Sequence, residues 1–197
     1  MKSILFCFVF ILFFESLFAQ TYTQGAYYTH EGQRIEGLIQ HNYFARFSDG
    51  PDNYINFKET SDSKKKKLTT KEVKSFVIGS DSFVIIKHFT INSFAYYEED
   101  FVKIIKTGNL NLYLHYSTGG SGNTFFLVSN YILEKDAKLV VMRKRSFKDN
   151  YKNLFGDDVD LVKKIEDKSL TYKDLDVIVD EYNNWYIESN KNTSPND

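Results

Sequence analysis

Apolar residues change their spacing twice along this 197-residue chain. Residues 4–14 form an unbroken apolar run. From about residue 24 to residue 142, apolar and polar positions alternate in short stretches punctuated by Gly, Asn and Asp, the period-2 pattern of half-buried strands. From residue 143 the apolar positions fall three and four apart on a charged background, the period of amphipathic helices.

Within the alternating region, residues 24–30 and 34–41 flank Glu31-Gly32-Gln33 and predict a hairpin whose turn uses Gly32. Ser48-Asp49-Gly50-Pro51-Asp52-Asn53 is a loop by its turn chemistry, and residues 54–58 form a short strand. Residues 60–70 contain Lys64-Lys65-Lys66-Lys67 and read as an exposed, mobile loop. Residues 73–78 and 82–89 are strand-like on either side of Gly79-Ser80-Asp81. The clearest signal lies in residues 101–116. A strand over 101–106 meets a turn at Thr107-Gly108-Asn109, after which Leu110, Leu112, Leu114 and Tyr116 share one face while Asn111, Tyr113 and His115 share the other. Residues 118–123 are a glycine-rich hairpin loop, and residues 124–128 and 138–142 continue the β pattern.

In the helical region Phe147, Tyr151, Leu154 and Phe155 make one stripe. Asp157 or Asp158 can cap a second helix with Leu161, Val162 and Ile165 on its buried face. Thr171, with Asp174 three residues on, resembles a capping box for a third helix with the stripe Leu175, Ile178, Val179, Tyr182 and Tyr186. Strands first and helices last predict an α+β fold. We expect a twisted, mainly antiparallel sheet of about six to nine strands, open or partly rolled, followed by two or three C-terminal amphipathic helices. One domain is expected over residues 20–189, β-rich over 24–142 and helical over 143–189, with a polar tail at 190–197.

Composition adds mostly exclusions. Lys2, the apolar run and the small residue Ala19 have the three-part layout of a secretory signal peptide over residues 1–19. Glu15 interrupts the run short of the roughly 20 apolar residues a spanning helix needs, so the mature chain is expected to carry no transmembrane segment. The only Cys, Cys7, leaves with this leader, so no disulfide, thiol nucleophile or cysteine metal site is expected afterwards. A net charge of −1 argues against nucleic acid as a partner.

Candidate chemistry is sparse. His30, His41, His88 and His115 form no H-E-x-x-H motif and no i, i+4 pair, and they read as unrelated strand or surface residues with no metal and no cofactor. Glu98-Glu99-Asp100 reads as a solvated turn, and Asp157-Asp158-x-Asp160 as charge favoured at a helix N-terminus. No Gly-x-Ser-x-Gly elbow is present, and no catalytic residue is assigned. Tyr113 and His115, on the less apolar face of their strand, and Trp185, the only Trp, are the candidate interaction surface.

Three stretches together resemble a family of uncharacterised exported proteins of Bacteroidetes-type bacteria. They are Gly25-Ala26-Tyr27-Tyr28 to Gly32 with Ile35-Glu36-Gly37-Leu38-Ile39, then residues 101–105 with Gly108, Leu110, Leu112 and Tyr113, and then Asp174-Leu175 to Tyr182-Asn183. In some members a similar domain precedes an outer-membrane β-barrel. The resemblance implies an envelope setting and a β-rich fold, and it supplies no activity. This chain ends after its helices without barrel strands, so membrane insertion is not carried over.

The leading expectation is an exported, periplasmic or surface-associated, non-catalytic binding domain that contacts an envelope protein or glycan. The alternative is a hydrolase of envelope or extracellular polymer, with carboxylates or histidines assembled by the fold. A third is a structural subunit that self-associates through exposed aromatics. Cleavage after Ala19 makes Gln20 the first residue of the mature chain. Intact-mass measurement of protein from the envelope or medium should give that species, and a mass that includes Met1 would overturn the assignment.

Overall fold

The computed structural model describes residues 22–43, 53–92, 95–121 and 124–193. The expected leader at 1–19, nearly all of the expected 48–53 loop and the last residues of the expected tail lie outside them. Ten strands form one antiparallel sheet: β1 (Thr23–Tyr28), β2 (Arg34–Tyr43), β3 (Asn53–Lys58), β4 (Lys66–Leu68), β5 (Ser75–Ile78), β6 (Asp81–Asn92), β7 (Ala95–Lys106), β8 (Leu110–Ser121), β9 (Thr124–Lys135) and β10 (Lys138–Met142). Their spatial order is β10-β9-β8-β7-β6-β5-β1-β2-β3-β4, an open sheet with β10 and β4 at its edges. Three helices follow: α1 (Lys144–Phe155), α2 (Val159–Glu166) and α3 (Leu175–Thr193), the last entered through a 3₁₀ turn at Tyr172–Asp174. The expected α+β architecture is present, with ten strands rather than six to nine.

The β1–β2 hairpin turns where predicted. Gly32 sits at φ +88°, a conformation that residues with a Cβ rarely adopt. Lys66–Leu68, read from sequence as part of a mobile loop, is instead an edge strand paired with β3. Lysines on an edge strand discourage further strand pairing, so polarity there marks the edge rather than a loop. Residues 98–100, read as a solvated turn, lie inside β7.

β6 and β7 carry an irregularity between Thr90 and Asn92, and the β7–β8 pairing departs further from a regular ladder. β7 and β8 pair only at Lys103↔Leu114, Ile104↔Tyr113 and Lys106↔Leu112, with an irregularity between Ile104 and Lys106. Beyond that point β7 stays with β6 as far as Ala95, and β8 stays with β9 as far as Ser121. The two hairpins therefore part. The sheet also curls, bringing β2 and β3 against the parted strands: the His41 and Tyr116 rings lie 6.4 Å apart, and Asn53 Nδ2 donates to Tyr116 O at 3.0 Å.

Three apolar clusters fill the layers. Phe57, Phe76, Phe83 and Phe101 centre the core inside the curl. On the opposite face Ile86, Val102, Tyr113 and Ile132 meet Leu139 and Val141 of β10. His88, at φ +54°, interrupts the alternation of β6, so that Ile86 and Phe89 both enter this second cluster. The third cluster joins the helices to the sheet: Leu110, Leu112, Leu133 and Met142 pack with Phe155, Leu161, Ile178 and Tyr182. The helices thus share a core with the strands. Tyr186, predicted in the α3 stripe, is 36% exposed and lies outside the cluster that takes in Leu175, Ile178, Val179 and Tyr182. Among the described residues no helix is long and apolar enough to cross a membrane.

Caps set the helix starts. Asp158 accepts from Leu161 N at 3.0 Å, and Asp174 accepts from Thr171 N at 2.9 Å, reproducing the predicted capping box. Lys106 of β7 pairs with Asp180 of α3 near the surface, and a buried polar contact fixes α3 to the sheet. The buried Asn183 side chain accepts from Leu110 N and donates to Leu110 O, both at 2.9 Å, satisfying a backbone pair at the start of β8. Gly108 makes room for it, since a Cβ there would stand 2.5 Å from the Asn183 amide. Asn183→Leu should orphan both backbone groups and lower stability by about 2–4 kcal/mol, read as the urea midpoint, whereas Asn184→Ala on the exposed side should change it by less than about 0.5 kcal/mol.

Candidate functional site

The structure does not bring Tyr113, His115 and Trp185 together as a surface. Tyr113 is 8% exposed and His115 is fully buried. Tyr113 donates its hydroxyl to Glu134 Oε2 at 2.8 Å, and burial, then this carboxylate, push its phenol pKa up. Alternation identified the apolar face of β8 correctly, yet the second face is buried too, Tyr113 in the cluster with Leu139 and Val141 of β10 and His115 against Phe89 and Tyr97. Trp185 is half-buried, packed at the edge of the helical cluster with its ring 5.6 Å from that of Tyr182.

His115 belongs to a buried polar group that bridges the parted strands. Its Nε2 lies 2.9 Å from Asp100 Oδ2 on β7, and Asn53 of β3 donates to the same carboxylate oxygen at 2.6 Å. Asp100 Oδ1 accepts from Phe101 N at 2.8 Å, and Asn53 also donates to Tyr116 O. Phe89 and Tyr97 close over the imidazole edge-on, at 5.1 and 4.7 Å. Asp100, Asn53 and His115 thus take over backbone and side-chain bonding where the β7–β8 ladder stops. The pair is sealed from solvent, with His115 fully buried and Asp100 2% exposed. The pairing was invisible in the sequence because its members are 15 and 47 residues apart.

His41 lies next to this group, edge-on to the stacked pair Phe76 and Phe83 at 5.1 and 4.8 Å. Neither of its ring nitrogens has a hydrogen-bond partner among the described residues. Burial, with the His115 imidazole nearby, pushes its pKa down to about 3, against a smaller opposing pull from the Asn53 side chain. His41 is therefore neutral in the folded protein. Among the described residues, no three His, Cys, Asp or Glu side chains are placed to hold a metal ion.

Among the described residues, the more enclosed of two surface clefts lies among the helices. A groove of about 670 Å³ runs between α1 and the chain that leaves α2. Such volumes fall in the range of small-molecule sites. Its floor is apolar: Phe147 and Tyr151 from α1, Ile165 from α2, and Leu170 and Tyr172 from the connection. The Tyr172 ring is held edge-on to Tyr131 and Phe147, at 6.0 and 6.2 Å. Four lysines line the same groove: Lys144 and Lys148, one turn apart on α1, and Lys168 and Lys173 on the facing connection. All four are exposed, and none has an ion-pair partner among the described residues. The carboxylate in the lining, Glu166, is neutralised by Lys152 at 2.6 Å, and that ion pair lowers its pKa. The sequence held one hint, the i, i+4 lysines beside the Phe147–Tyr151 stripe, but the facing wall comes from the tertiary fold.

A second, shallower cleft of about 390 Å³ adjoins Trp185 and is lined by Asp158, Asp160, Glu181 and Glu188. Two of these carboxylates are committed elsewhere. Asp158 caps α2, and Glu181 pairs with Lys164 at 2.8 Å. No family model, no curated protein and no solved structure matches this chain.

The depressed pKa of His41 has a defined consequence for stability. The unfolded chain takes up a proton on this residue near pH 6.5 and the folded chain does not until about pH 3. Stability is unaffected above pH 6.5 and falls as pH drops below it, by up to about 1.4 kcal/mol per pH unit. His41→Phe keeps an aromatic ring in the site and removes the proton. Denaturant unfolding at pH 7.5 and pH 5 should show the wild type losing about 2 kcal/mol more than the variant over that interval.

Proposed function

We propose that this chain is an exported, non-catalytic binding domain of the cell envelope, periplasmic or surface-associated, and that it takes an envelope component in the groove between α1 and the connection after α2. The groove carries the reading. It is a concave site with an apolar floor and uncompensated positive charge, built on helices that share a core with a large sheet. Rigid placement of this kind suits recognition. The signal-like leader and the resemblance to exported Bacteroidetes-type proteins support the compartment. The hydrolase alternative is weaker on physical grounds, because the Asp100–His115 pair is sealed and the acidic cleft spends two of its carboxylates on a helix cap and an ion pair.

The test is site-specific photo-crosslinking in cells that produce the full chain. A crosslinker at Lys148 should give an adduct of defined mass in the envelope fraction, and one at Lys64, at the other end of the sheet, should not. Identical adducts from both positions, or a chain that keeps its leader in the cytoplasm, would overturn the reading. Turnover of envelope polymer that is abolished by Asp160→Asn would transfer the assignment to the hydrolase.

A further inference from the structure

We infer that the groove binds a phosphate-headed amphiphile, its single alkyl chain lying on the apolar floor and its phosphate among the four lysines. The inference rests on the binding reading above and names its ligand class. Two features of the site require an amphiphile. Phe147, Tyr151, Ile165, Leu170 and Tyr172 offer the floor no charged group, so that surface gains by covering with hydrocarbon. Lys144, Lys148, Lys168 and Lys173 offer charge without hydrophobic cover, and no carboxylate among the described residues is within ion-pair distance of their amines.

Four ammonium groups point to the more highly charged of the simple head groups. A phosphate monoester carries about −1.5 to −2 near neutral pH, against −1 for a carboxylate. Lysine binds phosphate as a point charge and needs no planar fork to do so. Glu166 does not oppose this, since Lys152 holds it from outside the groove.

Lys168 gives an independent reason to read the rim as functional. It closes α2 at φ +67°, donating its N–H to Ile165 O at 3.3 Å, while Leu170 N donates to Lys164 O at 3.0 Å. This left-handed position at a helix end is the usual place for Gly, and a residue with a Cβ is disfavoured there. A basic side chain is not needed at this point for the helix dipole, because Lys163 and Lys164 already occupy the last turn of α2. A strained residue with an exposed charge facing a groove fits a ligand contact kept at the expense of stability.

Calorimetric titration of the mature chain with decyl phosphate, decanol and inorganic phosphate tests the proposal. Decyl phosphate should bind with saturable one-to-one stoichiometry, at least about tenfold more tightly than either half-ligand. Lys168→Gly should weaken it roughly two- to fivefold while raising Tm by about 2–4 °C, a pairing that a purely structural lysine would not produce. The double change Lys144→Glu and Lys148→Glu should weaken it further, with Tm reporting that the fold is intact. The proposal is overturned if decyl phosphate does not bind, if decanol binds equally well, or if none of the lysine changes alters affinity. Displacement of decyl phosphate by a lower concentration of a leucine- and glutamate-rich peptide would assign the groove to protein instead. Crosslinks from Lys148 to an envelope protein, without decyl phosphate binding, would sink this inference and leave the binding-domain reading standing.

Discussion

The structure depends on the point where β7 and β8 part company. Three registered pairs hold the hairpins together, and beyond them backbone groups on both strands lose their neighbours. A buried, unpaired backbone group costs about 1–3 kcal/mol, so the gap must be filled with polar atoms or opened to water. Asp100, His115 and Asn53 fill it. Asp100 accepts from the Phe101 amide, Asn53 donates to the Tyr116 carbonyl, and the two side chains meet His115 between the strands. The group is strongly interdependent, because removing one member of a buried hydrogen-bonded cluster leaves the others without a partner. Its presence allows the sheet to curl and to bury both faces of β8, which a regular ladder through β7 and β8 would hold flatter.

The helices depend on a second, smaller polar contact. The side chain of Asn183 completes the backbone bonding of Leu110 and seats α3 against the first residues of β8. Leu110, Leu112 and Leu133 then supply an apolar floor on which Phe155, Leu161, Ile178 and Tyr182 close. This packing holds α1 and the α2–α3 connection at the separation that leaves the groove. The site is thus a by-product of helix docking: its apolar floor is the outer margin of the shared core, and its lysines are the solvent-facing residues beside it. The tyrosines of the floor are restrained as well, with Tyr151 Oη donating to Glu166 Oε1 at 3.4 Å and Tyr172 Oη to Met142 O at 3.4 Å.

Local chemistry made much of the architecture readable. The Gly32 turn, the 101–116 hairpin, the Asp158 cap and the Thr171–Asp174 box are all decided by residues within a few positions of one another, and each formed where its pattern pointed. Errors arose where a residue's local character and its distant neighbours disagreed. Lys66 and Lys67 look like loop residues, but β3 offers them a strand to pair with, and Lys66 reaches Glu59 at 2.8 Å while Lys67 lies over the Tyr54 ring at 4.1 Å. Glu98, Glu99 and Asp100 look solvated together, but only Asp100 turns inward, because a histidine 15 residues away awaits it. Tyr113 and His115 look like an outward face, since period-2 alternation identifies one buried face and carries no information about whether the other is covered.

Sequence alone therefore determined the strands-then-helices order, the main caps and turns and most of each helix's apolar stripe, because these follow from interactions a few residues apart. Tertiary structure decided which polar residues are interior and which apolar ones border a groove. It set Asp100 against His115, left His41 neutral among aromatic rings, and placed Lys168 and Lys173 opposite Lys144 and Lys148. Those outcomes depend on burial from two sides and on contacts between segments far apart in the chain, and no local pattern of residue types encodes either.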